Sequence, residues 1–267
     1  MMPTKRHAWT PHLRDEVSTA AATLTGRYES FWAELDTAGR RKLLQRGQPK
    51  VYDNRDYIYR QGHTSSYVLI LLRGHAKLMA DSASGQQTLL SIRSPGQLLG
   101  EDEALQRGGT TVRRATAQAL QRVTAITVEA MAFQDLLNSH PPAGVALAME
   151  LRTRLNEAET RIRVAPEAAN RRLARALVSL IDHNEAMRND WTKVTLPLSQ
   201  AELASWIGTS RETVERTLRG WRQRSIVRTD YRAITVLRPR DLMRIAGIHS
   251  AYLPSLPFTT PVETMAS

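Results

Sequence analysis

The chain has 267 residues, enough for two domains with separate hydrophobic cores joined by a connector. It contains no cysteine, which excludes disulfides, thiolate metal sites and iron–sulfur clusters, and its formal net charge of +11 favours an anionic partner such as nucleic acid or an acidic membrane face. The longest aliphatic run, Val68 to Leu72, is too short to span a membrane, and the N-terminus lacks the apolar segment of a signal peptide. We therefore expect a cytoplasmic protein that makes no membrane contact.

The N-terminal region predicts an arm followed by a helix. Residues 1–28 mix charge, proline and alanine without a sustained period, which is typical of an arm that is partly helical or loose. From Phe31 to Leu44, apolar and charged residues alternate in the manner of one short amphipathic helix.

Residues 29–139 are predicted to form the first domain. Short runs of β-favouring residues cover Tyr57–Tyr59, Tyr67–Leu72, Ala76–Met79, Gln87–Ile92 and Val123–Val128. Glycines punctuate these runs at Gly62, Gly74, Gly85, Gly96 and Gly100. Many short strands with regular glycine turns indicate an antiparallel β-roll or barrel.

Residues 140–167 are predicted to form a long dimerisation helix. After the Pro141-Pro142 break, apolar or small residues follow the alternating spacing of three and four that is typical of a coiled-coil seam, at Ala148, Leu151, Leu155, Ala158 and Ile162. A seam this narrow favours pairing with its own copy in a homodimer. The alternative is a connector helix that packs on its own roll.

Residues 168–247 are predicted to form the second domain, and residues 248–267 a flexible tail rich in proline and threonine. A helix is expected over Ala168–His183, followed by a polar loop over Asn184–Thr195. Beyond the helices discussed next, Ile226–Arg228 and Ala233–Leu237 predict two strands of a wing.

The segment between that loop and the wing predicts a helix-turn-helix. Ser199 and Glu202 have the spacing of a capping box for a first helix that stops at Gly208. Thr209 and Ser210 then offer N-caps for a second helix, whose core positions lie at spacings of four and seven: Val214, Leu218 and Trp221. Two helices joined by a tight glycine turn, the second basic on its outer face, are typical of a unit that reads double-stranded DNA.

The outer face of the second helix carries residues suited to reading bases. Arginine donates two hydrogen bonds to guanine and a carboxylate accepts from the cytosine amino group, so we expect Arg211, Glu212 and Arg216 to read G·C pairs. The alternative for Glu212 and Arg216 is an ordinary surface ion pair one helical turn apart. The residues expected to touch DNA are Ser199, Gln200, Thr209, Ser210, Arg211, Glu212, Thr213, Glu215, Arg216, Arg219 and Arg228.

The stretch from Leu198 to Arg216 resembles the helix-turn-helix of the Crp/Fnr family of bacterial regulators, and the glycine spacing of the roll resembles the cyclic-nucleotide-binding domain of that family. The resemblance covers roughly residues 30–245 and implies an α+β chain: an N-terminal antiparallel β-roll, a long dimerisation helix and a C-terminal winged helix-turn-helix. It also implies a palindromic site of the TGTGA type, with Glu215 departing from the small or amide residue often found there. The loop Asn184–Thr192 lies where relatives touch RNA polymerase.

The resemblance further implies an effector pocket for a cyclic mono- or dinucleotide. Gly100, Glu101 and Arg113 match positions that hold the phosphate and ribose in relatives, and Arg114 stands where a small hydroxyl residue is expected. On the long helix, Glu157 lies where relatives offer a hydroxyl to the base. Arg114 would either fill the pocket or recruit a more anionic ligand. Alternatively, Glu101 and Arg113 form a structural ion pair.

Other classes of site find little support in the residues. His63, His75 and His183 lack the paired spacing of haem ligands, no ligand cluster for zinc is present, and no constellation for catalysis is found, so we expect neither haem, nor a metal site, nor an enzyme. Two alternatives to an effector-gated regulator stay open. One is a constitutive DNA-binding protein with a degenerate pocket, and the other is a nucleotide sensor that acts through a protein partner.

Overall fold

The computed structural model describes residues 17, 19–22, 24, 30–81, 87–105, 111–180, 194–196, 198–231 and 233–248. In the first domain the elements are α1 (Phe31–Glu34), α2 (Thr37–Arg46), β1 (Gln48–Tyr52), β2 (Tyr57–Tyr59), β3 (Thr64–Ser65), β4 (Tyr67–Arg73), β5 (Ala76–Asp81), β6 (Gln87–Arg93), β7 (Leu98–Leu99), α3 (Glu101–Leu105), β8 (Thr111–Val112), β9 (Thr116–Ala119), β10 (Val123–Glu129) and α4 (Ala130–Ser139). The long helix α5 (Pro141–Arg163) follows. The second domain contains α6 (Ala169–Leu180), β11 (Val194–Leu196), α7 (Gln200–Ile207), α8 (Arg211–Gln223), β12 (Val227–Asp230), β13 (Ala233–Val236) and α9 (Pro239–Ala246).

The single helix predicted over Phe31–Leu44 is wrong, because the chain forms two helices there. Leu35 is extended, and the side chain of Asp36 accepts a hydrogen bond of 2.7 Å from the Gly39 amide. An aspartate in this conformation caps a new helix instead of continuing the old one. Within the N-terminal arm, the helical residues Val17 and Ala20 are buried against the roll.

The antiparallel β-roll is confirmed. One sheet has the strand order β1-β10-β4-β7 and the other β2-β9-β5-β6, and every pairing is antiparallel. β4 is apolar along nearly its whole length because both of its faces are buried. Leu69 and Leu71 lie in a core with residues of the second sheet, while Val68, Ile70 and Leu72 pack toward helices α1, α2, α4 and α5.

The residues that α5 buries against the roll lie in its N-terminal half, and Arg154 and Arg161 add hydrogen bonds to the Leu98 and Leu90 carbonyls further along the helix. Ala143, Ala146, Leu147 and Glu150 are its buried residues. The sequence presented dimerisation and packing on the roll as alternatives, but the first half of the helix is anchored while the second half leaves apolar side chains exposed. Among the described residues, no helix is long and apolar enough to cross a membrane.

The second domain has a three-stranded sheet of order β11-β13-β12 beside its helices. The predicted loop Asn184–Thr195 therefore ends in a strand, since Val194 pairs with Val236 and Leu196 with Ile234. The rest of that loop lies outside the described residues. Helix α9 was not predicted from the sequence, although it begins at Pro239 and ends at Gly247 with a positive φ of 68°, both of which are signals of helix ends.

Candidate nucleic-acid interface and effector pocket

The helix-turn-helix begins with the predicted capping box. The Ser199 hydroxyl accepts from the Glu202 amide at 3.2 Å, and the Ser199 amide donates to the Glu202 carboxylate at 2.8 Å. Helix α7 ends at Gly208, whose φ of 64° and ψ of 52° lie in the left-handed region. Such a conformation turns the chain sharply at little cost when the residue is glycine. The turn thereby sets the direction in which α8 leaves α7.

Helix α8 is held from one side and open on the other. The Ser210 hydroxyl accepts from the Thr213 amide at 3.2 Å, as predicted for an N-cap. The buried face consists of Val214, Leu218 and Trp221, which belong to the core of the second domain. Among the predicted DNA contacts on α8, Arg211, Glu212, Arg216 and Arg219 are exposed, while Thr213 and Glu215 are half-buried.

The ion pair on the outer face of α8 is different from the one considered from the sequence. Glu215 pairs with Arg219 at 3.1 Å, one turn apart. Within the described part of the chain, Glu212 and Arg216 form no ion pair with each other. Both side chains are thus available to a partner in front of the helix.

The wing lies beside α8, the recognition helix of the helix-turn-helix, and a hydrogen bond connects the two. Arg222 of α8 donates to the Thr229 hydroxyl of β12 at 2.7 Å. Arg228 pairs with Asp230 at 3.2 Å, and Tyr231 at the tip of the wing is 86% exposed. A groove of about 400 Å³ separates the wing from the start of α7 and from Arg211. Ser199 and Gln200 line this groove, so the predicted backbone contacts and base contacts share one side of the domain.

The roll and the second domain also touch each other, which the sequence did not predict. Lys77 of β5 forms an ion pair with Glu202, and the Leu89 amide donates to the Ser205 hydroxyl at 3.1 Å. Burial raises the pKa of Glu202, but its hydrogen bonds to Lys77 and Ser199 outweigh burial, so the pKa lies below the ordinary value of 4.5. The capping carboxylate of α7 is therefore also a contact between the two domains.

Two of the residues predicted to hold an effector, Gly100 and Arg113, lie against each other in the roll. Gly100 has a φ of 78°, and a Cβ built on it would lie 1.8 Å from Nη1 of Arg113. The Arg113 side chain, on a residue only 1% exposed, donates to the carbonyls of Gly100 at 3.0 Å and Tyr67 at 2.6 Å. Its guanidinium also stacks 4.2 Å from the ring centre of Tyr59. Arg113 fills the space in front of Gly100, whereas Arg114 is exposed.

Glu101 forms its ion pair with a residue that the sequence did not single out. Its carboxylate pairs with Arg154 of α5, and Arg154 pairs in addition with Glu150, which is fully buried. Glu150 accepts from the amides of Phe31 and Leu98, both at 2.9 Å. The spacing of four between Glu150 and Arg154 was a usable signal. The pocket is thus connected through charge to the long helix.

Two buried polar atoms in and beside this cluster of charges have no hydrogen-bond partner. The Oε2 atom of Glu101 and the Nε atom of Arg93 are buried without a hydrogen-bond partner. Burial raises the pKa of Glu101, but the guanidiniums of Arg154 and Arg93 outweigh burial and hold the pKa below its ordinary value of 4.5. A buried acceptor beside a buried guanidinium donor suits a ligand that carries both a hydroxyl and an anionic group. Glu157, three residues after Arg154 on α5, is half-buried.

The predicted dimer seam lies on the free face of α5. Ala148, Leu151, Leu155 and Ile162 are exposed and Ala158 is half-buried, with Leu155 at 58% and Ile162 at 76% exposure. Val145, also exposed, extends the same face toward the N-terminus. An apolar face of this length without cover is typical of an interface.

Among the described residues, no group of three or more histidine, cysteine, aspartate or glutamate side chains is placed to hold a metal ion. His183, one of the three histidines weighed as haem ligands, lies outside those residues, as does the loop Asn184–Thr192.

Comparisons with known proteins match both domains. Residues 49–140 match the family described as "Cyclic nucleotide-binding domain", and residues 171–245 match the family described as "Crp-like helix-turn-helix domain". The cyclic AMP receptor protein of Thermus thermophilus is 29% identical over 210 residues, which cover 77% of this chain and 88% of that protein. The CRP-like cAMP-activated global transcriptional regulator of Mycobacterium tuberculosis is 23% identical over 206 residues, 76% of this chain and 90% of that protein.

A solved structure shows the same fold. The c-di-GMP responsive global regulator CLP of Xanthomonas campestris superposes with a TM-score of 0.61 at 19% identity, covering 76% of this chain and 99% of that one. The matched families are those of transcription regulators and not of enzymes. With a roll that matches the cyclic nucleotide-binding domain in its first half and a winged helix-turn-helix in its second, the chain is a DNA-binding transcription regulator of the Crp/Fnr family.

Proposed function

We propose that the chain binds a palindromic DNA site of the TGTGA type as a homodimer, with α8 of each subunit in the major groove. The observation that supports this most directly is the outer face of α8, where Arg211, Glu212 and Arg216 are exposed and α8 itself is fixed by its buried face. The wide groove of B-form DNA admits an α-helix, and its base edges offer guanine acceptors and cytosine donors to these side chains.

The remaining predicted contacts position the domain on the phosphates. Hydroxyls and amides at the starts of α7 and α8 are suited to phosphate oxygens, and we assign this role to Ser199, Gln200, Thr209, Ser210 and Thr213. Arg228 contacts a phosphate from the wing after its ion pair with Asp230 breaks. Glu215 and Arg219 already satisfy each other, so we expect them to contribute less to base selection than Arg216.

The homodimer follows from the free face of α5. A two-fold axis along the seam formed by Ala148, Leu151, Leu155, Ala158 and Ile162 would bury this face against its own copy. Two recognition helices related by such an axis match a palindrome whose half-sites lie about 34 Å apart, one turn of DNA.

Electrophoretic mobility-shift titrations test the DNA part of the proposal. Arg216→Ala is expected to cost about 1 to 3 kcal/mol on a TGTGA-type palindrome and to relax preference at one base pair. Arg228→Ala should weaken palindromic and random duplexes alike, because a phosphate contact carries no sequence information. Arg163→Ala, on an exposed side chain of α5, is the matched control. Equal losses on palindrome and random DNA for Arg216→Ala would refute its role.

For the effector, we propose a nucleotide with a hydroxyl and a phosphate bound at Gly100, Glu101 and Arg113, with Glu157 near its base. The unused Oε2 of Glu101 and the Arg93 guanidinium support a ligand of this kind. Two similar proteins are named for cAMP activation or as a cyclic AMP receptor, and one for its response to c-di-GMP. When bound, the ligand would share the Glu101 carboxylate with Arg154 and so act on α5.

A constitutive DNA-binding regulator is the second candidate, and a specific observation favours it. Arg113 already fills the space in front of Gly100 and bonds to protein carbonyls. Isothermal titration calorimetry with cAMP, cGMP and c-di-GMP separates the two candidates. If a nucleotide binds and Glu101→Gln weakens that binding, the effector-gated regulator is supported. If none of the three nucleotides binds and the protein still binds DNA with full affinity, the constitutive regulator is supported.

One protein partner is proposed for this function, and one alternative function is left to test. The loop Asn184–Thr192, outside the described residues, is proposed to touch RNA polymerase. A sensor that acts only through a protein partner is the remaining alternative, and a steep loss of DNA affinity with salt would contradict it, since such a slope reports phosphate contacts.

A further inference from the structure

Arg172 of α6 joins two parts of the chain that are distant in sequence. Its Nη1 donates to the carbonyls of Ala165 and Glu167, both at 2.6 Å. Its Nε donates to the carbonyl of Ile207 at 3.1 Å and its Nη2 to that of Gly208 at 3.2 Å. The first two carbonyls follow the end of α5, and the other two form the turn of the helix-turn-helix. We call this set of contacts the Arg172 bridge.

The side of the Arg172 bridge at the end of α7 is a place where a guanidinium is favoured. The last carbonyls of an α-helix have no partner within the helix, and they mark the negative end of its dipole. The end of α7 and the turn that follows α5 converge on one cation here, and the half-buried position of Arg172 limits competition from water. A planar guanidinium with several fixed N–H groups can serve four carbonyls at once, which a lysine ammonium cannot do in the same geometry.

The segment on the α5 side of the bridge is held by further contacts. Glu167 pairs with Arg175 at 3.1 Å and with Arg171 at 3.6 Å, and Arg175 also donates to the Ala246 carbonyl at 2.8 Å. The segment after α5 is therefore attached to α6 and to the end of α9. Arg172 extends this attachment to Gly208, two residues before the N-cap Ser210 of α8.

We propose that Arg172 is a positioning residue for sequence-specific DNA binding. By joining the end of α5 to the turn before α8, the bridge fixes the direction of the recognition helix relative to the dimerisation helix. Changing the bridge alters the distance between the two recognition helices of a dimer. A palindrome with fixed spacing is sensitive to that distance, whereas random DNA bound through phosphates is not.

A simpler role for Arg172 is C-capping, in which its positive charge only stabilises the end of α7. The two roles differ in what Arg172→Lys does. Lysine keeps the charge near the end of α7, so it preserves most of a capping effect. It loses the forked geometry that connects the two segments, so it does not preserve positioning.

Label distances provide the first test. Because the natural chain has no cysteine, Gln223→Cys at the exposed end of α8 supplies a single site for a spin label. Pulsed electron paramagnetic resonance then measures the distance between the two labels of a dimer. We expect Arg172→Lys to shift or broaden that distance distribution. Arg163→Lys should leave it unchanged, because the Arg163 side chain donates to the Thr160 hydroxyl at 3.3 Å on the same helix.

DNA binding provides the second test, with palindromes whose half-site spacing is varied one base pair at a time. Arg172→Lys is expected to lower affinity for the preferred spacing about tenfold and to flatten the spacing preference, with less than about a twofold change on random DNA. Thermal unfolding of the same variant should stay close to that of the unsubstituted protein. Unchanged label distances with an unchanged spacing preference would overturn the proposal, and so would equal affinity losses on both kinds of DNA.

This inference rests on the proposed dimer and its palindromic site, but the two fail differently. If the unsubstituted protein binds palindromic and random DNA equally, the proposed site is refuted, while the label distances still decide whether the Arg172 bridge fixes the direction of α8. If the unsubstituted protein is selective and Arg172→Lys retains both its distances and its selectivity, the Arg172 bridge alone is refuted.

Discussion

The buried charges between the roll and the long helix predict a large effect for one substitution, Arg154→Met. Arg154 pairs with Glu101 and Glu150 and donates to the Leu98 carbonyl at 2.8 Å. Both carboxylates are almost completely buried. Removing the shared cation breaks both ion pairs and leaves Arg93 as the remaining nearby positive charge, and the loss of one partner of a buried ion pair costs about 3 to 5 kcal/mol. Methionine retains much of the side-chain volume, so little of this cost comes from a cavity.

The free energy of unfolding in urea, at fixed protomer concentration, measures this effect. Arg163→Met is the matched control on the same helix, and because Arg163 is exposed we expect it to change stability by less than about 0.5 kcal/mol. Adding Glu101→Gln to Arg154→Met should recover part of the loss, since one uncompensated charge is then removed. Equal stability of the Arg154→Met and Arg163→Met proteins would refute the assignment of the buried cluster.

The same cluster predicts the sign of a pH dependence. The pKa of Glu101 in the folded protein lies below its ordinary value of 4.5, so folding favours its ionised form. The stabilisation is fully present above pH 4.5 and is lost as the pH falls through the lower folded pKa. Arg154→Met removes the guanidinium that contributes most to lowering the pKa of Glu101. The difference in stability between the unsubstituted protein and Arg154→Met should therefore shrink as the pH falls below 4.5 and Glu101 becomes protonated.

Three further outcomes are expected. Leu155→Glu should convert the dimer to a monomer in light scattering, because it places a charge in the apolar seam, while Arg163→Glu should leave the dimer intact; a Leu155→Glu dimer of normal affinity would exclude this seam. Ser210→Ala should cost about 1 kcal/mol through loss of the N-cap of α8, seen as a lower unfolding temperature, and an unchanged temperature would show that the cap contributes little. The pKa of Glu202 is lowered, so its stabilisation is lost as the pH falls through the folded pKa; Lys77→Met should flatten this dependence between about pH 3 and 5 in urea unfolding, and an unaltered slope would contradict the contact between the domains.

The sequence by itself determined the DNA-reading unit, because its signals are local. A capping box at Ser199, a left-handed glycine at Gly208 and an N-cap at Ser210 each act over three or four residues, and each lies where it was predicted. The strands of the roll were located for the same reason, from β-favouring runs between glycines. The break at Asp36 was missed because an aspartate inside an amphipathic pattern does not show which of two neighbouring turns it caps.

Only the tertiary structure decided which charged side chains meet. Glu101 and Arg154 are separated by more than fifty positions, and periodicity does not indicate that α5 lies against the start of α3. The choice between Arg113 and Arg114 as the side chain in the pocket depends on which face of one strand end points inward. The contact of Lys77 with Glu202 and the Arg172 bridge likewise arise from the packing of whole domains, since Coulomb attraction and hydrogen bonding depend on distances in space and not on separation along the chain.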